Sequence, residues 1–174
     1  MIETEAYQYV LGTAGNTRIN SSGTQYVQGG SAAGTTISSG GTETVSSGSA
    51  DRGANIYGSQ YDYGSASGDT IYNGGFQIVE AGGIASGTTV NTGGLESVLS
   101  GGIANGTTIN GGTLKVASGG SSGAVTFTNA GGILELDDSQ HFHGLIAGCF
   151  AKGRHRGDRP PRHILWQEDE GVLQ

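Results

Sequence analysis

The densest group of titratable side chains lies near the end of the chain and contains Asp137, Asp138, His141 and His143. His141 and His143 are two residues apart, so on a strand both would point to the same face. Two imidazoles with a carboxylate such as Asp138 are a ligand set for zinc or copper. The alternative, which we favour, is a polar segment that caps the end of the fold.

Single carboxylates are spread over the preceding part of the chain: Glu43, Asp51, Asp62, Asp69, Glu80 and Glu96. Enzymes that cleave polysaccharides use two carboxylates about 5–10 Å apart. Glu43 and Glu96 hold the same position of a repeat, three or four turns apart, and a turn spacing of about 4.8 Å separates them by roughly 14–19 Å. This is too far for an acid–base pair. We therefore expect no catalytic residue, and we expect the carboxylates to be solvated groups that keep the surface soluble.

The tyrosines are concentrated in the N-terminal half, which holds all seven of them: Tyr7, Tyr9, Tyr26, Tyr57, Tyr61, Tyr63 and Tyr72. A tyrosine combines a flat apolar ring with a polar hydroxyl, so exposed tyrosines would form a strip that binds sugars or proteins. Tyrosines stacked inside would instead fill wider turns of the core. We expect both uses.

The sequence disfavours several kinds of catalytic and binding site, a membrane span and a disulfide. No P-loop, CxxC, HExxH or GxSxG motif is present, and we expect no cofactor. The net charge of −7 disfavours nucleic acid and anionic lipid. No apolar run approaches the roughly 20 residues of a membrane span, and the N-terminus lacks the basic and apolar regions of a signal peptide. The single cysteine, Cys149, excludes an intramolecular disulfide.

The elements that hold these residues are repeats of 18–19 residues. Residues 82–100 read GGIASGTTVNTGGLESVLS, and residues 101–118 read GGIANGTTINGGTLKVAS. Each unit has two short segments rich in Thr, Val and Ile, separated by glycine pairs that suit sharp corners. Such a unit buries its apolar side only by stacking on its neighbours, which predicts an all-β parallel solenoid. Asn73, Asn91 and Asn110 would either stack along its axis or simply suit turns.

Two apolar positions recur in the units and predict the inward residues of the core. The first is occupied by Ile19, Ile37, Ile56, Ile71, Val90, Ile109 and Val125, and the second by Val27, Val45, Tyr63, Val79, Val98, Val116 and Leu134. The unit at 48–66 is degenerate, and its register is the least regular.

The unit GG-x-A-x-G-T-T-[IV]-N-x-GG-x-x-x-V-x-S resembles the AIDA-type strand-loop-strand repeats of autotransporter passengers over about residues 10–136. This resemblance implies a right-handed parallel β-helix displayed on bacterial surfaces, where such proteins mediate adhesion and self-association. Some members of the family it resembles carry O-linked sugars on Ser, and the Ser and Thr hydroxyls at the corners offer such sites here, although no particular serine is indicated.

A second resemblance concerns the segment DSQHFHGLIAGCF, because a similar segment follows the last repeat in many proteins of this kind. After Gly148 the composition changes, and both prolines, the only Trp and five of the eight basic residues follow. Codons can be chosen for residues 159–163 that, read one nucleotide later, encode Asp-Leu-Arg-Asp-Ile, which resembles the expected family continuation; the alternative is a native basic tail. We therefore divide the chain into solenoid repeats (1–136), a capping segment (137–148) and an irregular or frameshifted tail (149–174).

The sequence thus indicates a fragment of a bacterial surface or secreted adhesin, a rigid β-solenoid that mediates adhesion or autoaggregation. Its expected partners are molecules of host or neighbouring cells, or further copies of itself, and its expected location is extracellular or at the cell surface. The alternatives are a carbohydrate-active β-helix enzyme and a gene remnant without function.

Overall fold

The computed structural model describes residues 1–2 and 5–148, and the tail 149–174 lies outside the described residues. The chain coils so that each turn contributes one short strand to each of three sheets, and every strand pair between successive turns is parallel. The all-β solenoid predicted from the repeats is therefore confirmed.

The strands, numbered in chain order, sort into three sheets. The first sheet contains β1 (Tyr7–Val10), β4 (Thr24–Val27), β7 (Thr42–Val45), β10 (Ser59–Asp62), β13 (Phe76–Val79), β16 (Leu95–Val98), β19 (Thr113–Val116) and β22 (Ile133–Leu136). The second contains β2 (Thr13–Gly15), β5 (Ser31–Ala33), β8 (Ala50–Arg52), β11 (Ser65–Ser67), β14 (Ile84–Ser86), β17 (Ile103–Asn105) and β20 (Ser121–Ser122). The third contains β3 (Arg18–Ile19), β6 (Thr36–Ile37), β9 (Asn55–Ile56), β12 (Thr70–Ile71), β15 (Thr89–Asn91), β18 (Thr107–Asn110), β21 (Val125–Phe127) and β23 (Ile146–Ala147).

The glycine pairs permit this coil in two different ways. Gly82 has φ +82°, a left-handed conformation that residues with a Cβ rarely adopt. Gly83 faces the preceding turn so closely that a Cβ would overlap the carbonyl oxygen of Asp62. The first glycine of this pair therefore makes the corner, and the second lets the turns stack in contact.

The core is a set of columns, because strands in register place equivalent side chains on top of one another. The two recurrent apolar positions form columns on the third and first sheets, and their described members Ile19, Val27, Ile37, Val45, Ile71, Val79, Val90, Val98, Ile109 and Val116 are buried. The second sheet contributes small residues such as Ala85 and Ala104, which keep the core thin.

The predicted register is wrong in the degenerate unit. Asp62, and not Tyr63, pairs with Val45 and Val79 and points inward, while Tyr63 is exposed. Asp62 lies 17 residues from each valine, so the two turns are equal in length. Since side chains alternate along a strand, placing Tyr63 inward would also turn Tyr61 into a core too thin for two rings.

Two further positions shift near the C-terminal end. Phe127, and not Val125, continues the column of Ile109, and Leu136, and not Leu134, continues that of Val116. Val125 and Leu134 are also buried, but they occupy the other inward position of their strands.

The capping segment contains one turn of 3-10 helix (Ser139–His141) followed by β23, which pairs with β21 in the third sheet. Among the described residues, the structure contains no helix long and apolar enough to cross a membrane.

The buried Val98 column allows a direct test of the fold. Val98→Asp should lower the free energy of unfolding by at least about 3 kcal/mol, because an unpaired carboxylate would be buried between Val79 and Val116. Ser97→Asp on the outward side of the same strand should change it by no more than about 0.5 kcal/mol. Urea unfolding followed by circular dichroism measures both, and equal effects would contradict the register.

Candidate functional site

The interior carries a polar column that the sequence analysis missed. In six successive turns of the first sheet, the inward residue two positions before the apolar anchor is Gln or Glu: Gln8, Gln25, Glu43, Gln60, Gln77 and Glu96. All but Gln8 are fully buried. The signal was present in the sequence, because the strands read QYV, QYV, ETV, QYD, QIV and ESV.

Glutamine amides connect this column along the axis. Gln60 Nε2 donates to Glu43 Oε2 at 2.8 Å and to Asp51 Oδ2 at 3.0 Å. Gln77 Nε2 donates to Gln60 Oε1 at 2.9 Å and to Asp69 Oδ2 at 2.9 Å. Each of these amides uses both of its hydrogens, and each bonds one residue of the preceding turn and one carboxylate from another side of the core.

Four carboxylates form an interior acid cluster, defined here as Glu43, Asp51, Asp62 and Asp69. All four are buried, as is Glu96 further along the axis. The expectation that these five carboxylates are solvated surface groups is therefore wrong. They are inward because Asp51 replaces the alanine of its column, Asp62 replaces the valine and Asp69 replaces the threonine.

Hydrogen bonding within the cluster is incomplete. Asp69 accepts the backbone N–H of Ala54 at 2.9 Å in addition to the Gln77 amide. Within the described part of the chain, both oxygens of Asp62 and one oxygen each of Glu43 and Asp51 have no hydrogen-bond partner. Leaving a buried acceptor without a partner costs about 1–3 kcal/mol.

Burial and mutual repulsion favour the neutral form of these acids. Desolvation raises the pKa of Glu43 and of Glu96 from 4.5 to about 7. Desolvation, with repulsion from Glu43 and Asp69, raises the pKa of Asp51 from 3.8 to about 9. The pKa of Asp62 is raised well above 3.8 by the same causes, and burial also raises the pKa of Asp69.

The burial of Glu43 and Glu96 also bears on polysaccharide cleavage. Their strands, β7 and β16, are three steps apart in the first sheet, which corresponds to about 14 Å. A polymer on the outside of the solenoid cannot reach either side chain, since both are fully buried.

The histidine and aspartate group lies at the C-terminal end. Asp138 and His143 line a cavity of about 240 Å³ together with Val116, Leu136 and Phe142. The side chain of His141 lies outside the described residues. No group of three or more His, Cys, Asp or Glu side chains suited to a metal ion occurs within the described ranges, and the metal hypothesis stays a prediction.

The tyrosines lie outside the core. Tyr7, Tyr9, Tyr57 and Tyr63 are exposed and the other three are partly exposed, so the expectation that some fill the core is wrong. The Tyr9 and Tyr26 rings stack with centroids 5.2 Å apart, and those of Tyr57 and Tyr72 with centroids 4.4 Å apart.

Six strands of the first sheet (β1, β4, β7, β10, β13 and β16) present twelve outward residues, which we call the outer strip. These residues are Tyr7, Tyr9, Thr24, Tyr26, Thr42, Thr44, Ser59, Tyr61, Phe76, Ile78, Leu95 and Ser97. None of the twelve is charged, and the outward charges on the described strands of this sheet are Lys115 of β19 and Glu135 of β22, which pair at 2.9 Å.

The asparagine ladder exists in part. Asn110 Nδ2 donates to Asn91 Oδ1 at 2.7 Å, and the Thr128 hydroxyl donates to Asn110 Oδ1 at 2.6 Å. Asn73 is outside this row because its strand places Tyr72 at the equivalent position.

The raised pKa values predict an inverted dependence of stability on pH. Since the folded pKa of these acids exceeds the unfolded one, the native state holds more protons, and stability falls as pH rises from about 4 towards 9.

Asp62→Val restores the apolar column of Val45 and Val79. It should raise the free energy of unfolding at neutral pH by about 2 kcal/mol or more and flatten the dependence of stability on pH.

Unfolding curves at several pH values measure both effects. Thr44→Val on the outward face of the first sheet introduces the same side chain outside the core and should leave the slope unchanged. Stability that rises with pH in the wild-type chain would show that the cluster is ionised in the native state.

Comparisons with known proteins agree with this architecture. Residues 52–112 match a family model described as "Adhesin of bacterial autotransporter system, probable stalk". A solved fragment of TibA, hyper-glycosylated by TibC, is similar with 36% identity and a TM-score of 0.75 over 84% of this chain. The match covers 54% of that fragment, so the chain spans about half its length. A search of curated proteins found no match. The solenoid is thus built from AIDA-type repeats, the repeats of autotransporter adhesin passengers.

Proposed function

We propose that this chain is a stalk segment of a bacterial surface adhesin, which holds binding surfaces away from the cell and contributes one of its own. The observation that carries this proposal is the uninterrupted parallel stacking of the turns, with eight strands in the first sheet and eight in the third. A coil in which every turn bonds to the next is a rod of defined length, about 34 Å over seven intervals.

The partners that this proposal names are molecules on host or neighbouring cells, or other copies of the rod. The location that follows is the cell surface or the extracellular space. Glycosylation of the TibA fragment supports O-linked modification here as well, and the exposed turn serines, among them Ser21, Ser47, Ser100 and Ser118, are accessible positions.

An enzymatic role is less well supported. The matching family model describes an adhesin stalk, and the similar solved structure is a hyper-glycosylated TibA fragment. The carboxylates Glu43 and Glu96, which could have served a polysaccharide hydrolase, are enclosed in the core. A remnant without function would have no need to keep a continuous outer strip free of charge.

Display on cells tests the proposal. The full chain, fused to a surface anchor on a non-adherent bacterium, should increase attachment to epithelial cells or sedimentation of the bacteria several-fold. Val98→Asp, displayed at equal density, is the control for a folded rod and should remove the effect. Equal attachment and sedimentation with and without the displayed chain would contradict the proposal.

Purified chain should also release no reducing or unsaturated ends from neutral or acidic polysaccharides. Turnover that disappears in Glu43→Gln or Glu96→Gln, while folding is unchanged, would instead support the enzymatic alternative.

A further inference from the structure

The outer strip has a composition that folding does not require. Its strands carry two outward residues each, and nine of the twelve side chains bear a hydroxyl, four of them as tyrosines. The remaining three are Phe76, Ile78 and Leu95, which follow one another on β13 and β16. A chain of net charge −7 thus keeps one sheet face neutral over six turns.

We propose that the outer strip binds a neutral polysaccharide, with the sugar chain lying along the axis of the solenoid. A sugar unit offers apolar C–H faces and a rim of hydroxyls, which match aromatic rings and hydroxyl side chains respectively. An anionic polymer would find no cationic side chain among the twelve residues, whereas a neutral one needs none. This inference goes beyond the proposed function, because binding of an isolated polymer does not depend on display on a cell.

The dimensions of the strip favour a linear polymer over a protein. Six strands at about 4.8 Å spacing give a length of about 24 Å, and the two outward residues of a strand are roughly 7 Å apart. Such a footprint covers roughly a few hundred Å², well below the ~800 Å² per partner of a stable protein interface. Five of the twelve residues are Ser or Thr, types that are rare among the energetically dominant residues of protein interfaces.

Two of the four strip tyrosines, Tyr9 and Tyr26, are held in place before any ligand binds. Tyr9 and Tyr26 stack at 14° between ring planes, which fixes their side chains and reduces the entropy lost on binding. Thr44 follows Tyr26 in the same row and Tyr61 follows Thr44, so the row is interrupted by one short side chain. Tyr26 and Tyr61 are therefore about 9.6 Å apart along the axis, with the Thr44 hydroxyl between them.

Affinity gel electrophoresis of the full chain tests the proposal. The gels contain amylose, dextran, linear β-glucan or galactomannan as neutral polymers, and alginate as the anionic one. At least one neutral polymer should retard the protein, equally at low and high salt, and alginate should not. The double variant Tyr9→Thr with Tyr26→Thr should weaken retardation at least about tenfold.

The matched control is Tyr57→Thr with Tyr72→Thr, which removes the other stacked pair, at 4.4 Å, and lies outside the strip. This control should bind as the wild type does. The proposal is overturned if no neutral polymer retards the chain, or if the two double variants behave alike. Sedimentation velocity tests whether the strip instead binds a second copy of the chain. That outcome requires that no neutral polymer retards the protein, that the chain forms a concentration-dependent dimer, and that only the double variant Tyr9→Thr with Tyr26→Thr abolishes the dimer.

Discussion

Parallel stacking of each turn on the next governs the whole molecule. A backbone N–H such as that of Leu99 donates to a carbonyl of the preceding turn, here Val79, and this bonding keeps the strands in register. Because of that register, each inward side chain packs on the equivalent side chains one turn above and below. Whether an inward residue stabilises the fold therefore depends on the residues above and below it in its own column. The number of hydrophobic residues in the whole chain has little influence on stability.

The polar column shows how in-register stacking satisfies the hydrogen bonds of buried amides. Glutamine both donates and accepts, so Gln77 can bond to Gln60 below while its own oxygen accepts the Thr88 hydroxyl at 3.0 Å. A glutamate has no amide N–H to donate, and its carboxyl oxygen accepts from a nearby donor, which is Gln60 for Glu43 and Thr107 for Glu96. After Glu96 the column becomes apolar, with Leu114 and then Leu134.

The degenerate unit at 48–66 is where several columns change together. Asp51 and Asp62 replace small or apolar residues, Ala54 replaces a threonine, and Asp69 enters from the next turn. Among the described residues, no Lys or Arg side chain forms an ion pair with an acid of the interior acid cluster, so burial and mutual repulsion favour the neutral forms of these acids. This stretch should be the part of the rod that opens most easily at high pH, since the columns on either side consist of better-matched residues.

The sequence predicted the solenoid, its period and most of the apolar columns, because Ile and Val recur at fixed spacing between glycine pairs. It did not predict the register at Asp62, because Tyr63 is more hydrophobic than Asp62 and hydrophobicity alone therefore places Tyr63 inward. The decision depends on the partners of the whole strand: Gln60 must face Glu43 and Gln77, and alternation then brings Asp62 inward. The burial of the carboxylates could not be seen for the same reason, since each was judged alone and not by its column.

The same alternation separates the requirements of the interior from those of the surface. When Gln60 and Asp62 point inward, Ser59 and Tyr61 must point outward, where a charged side chain would change the free energy of unfolding little. Exposed sheet faces usually gain solubility from charges, and the Lys115–Glu135 pair shows that this sheet accepts them. The absence of charge from all twelve residues of the outer strip therefore does not follow from folding or solubility. A binding surface for an uncharged partner accounts for it, because a charged side chain at the same position would lose its hydration when such a partner covers it, at a cost in free energy.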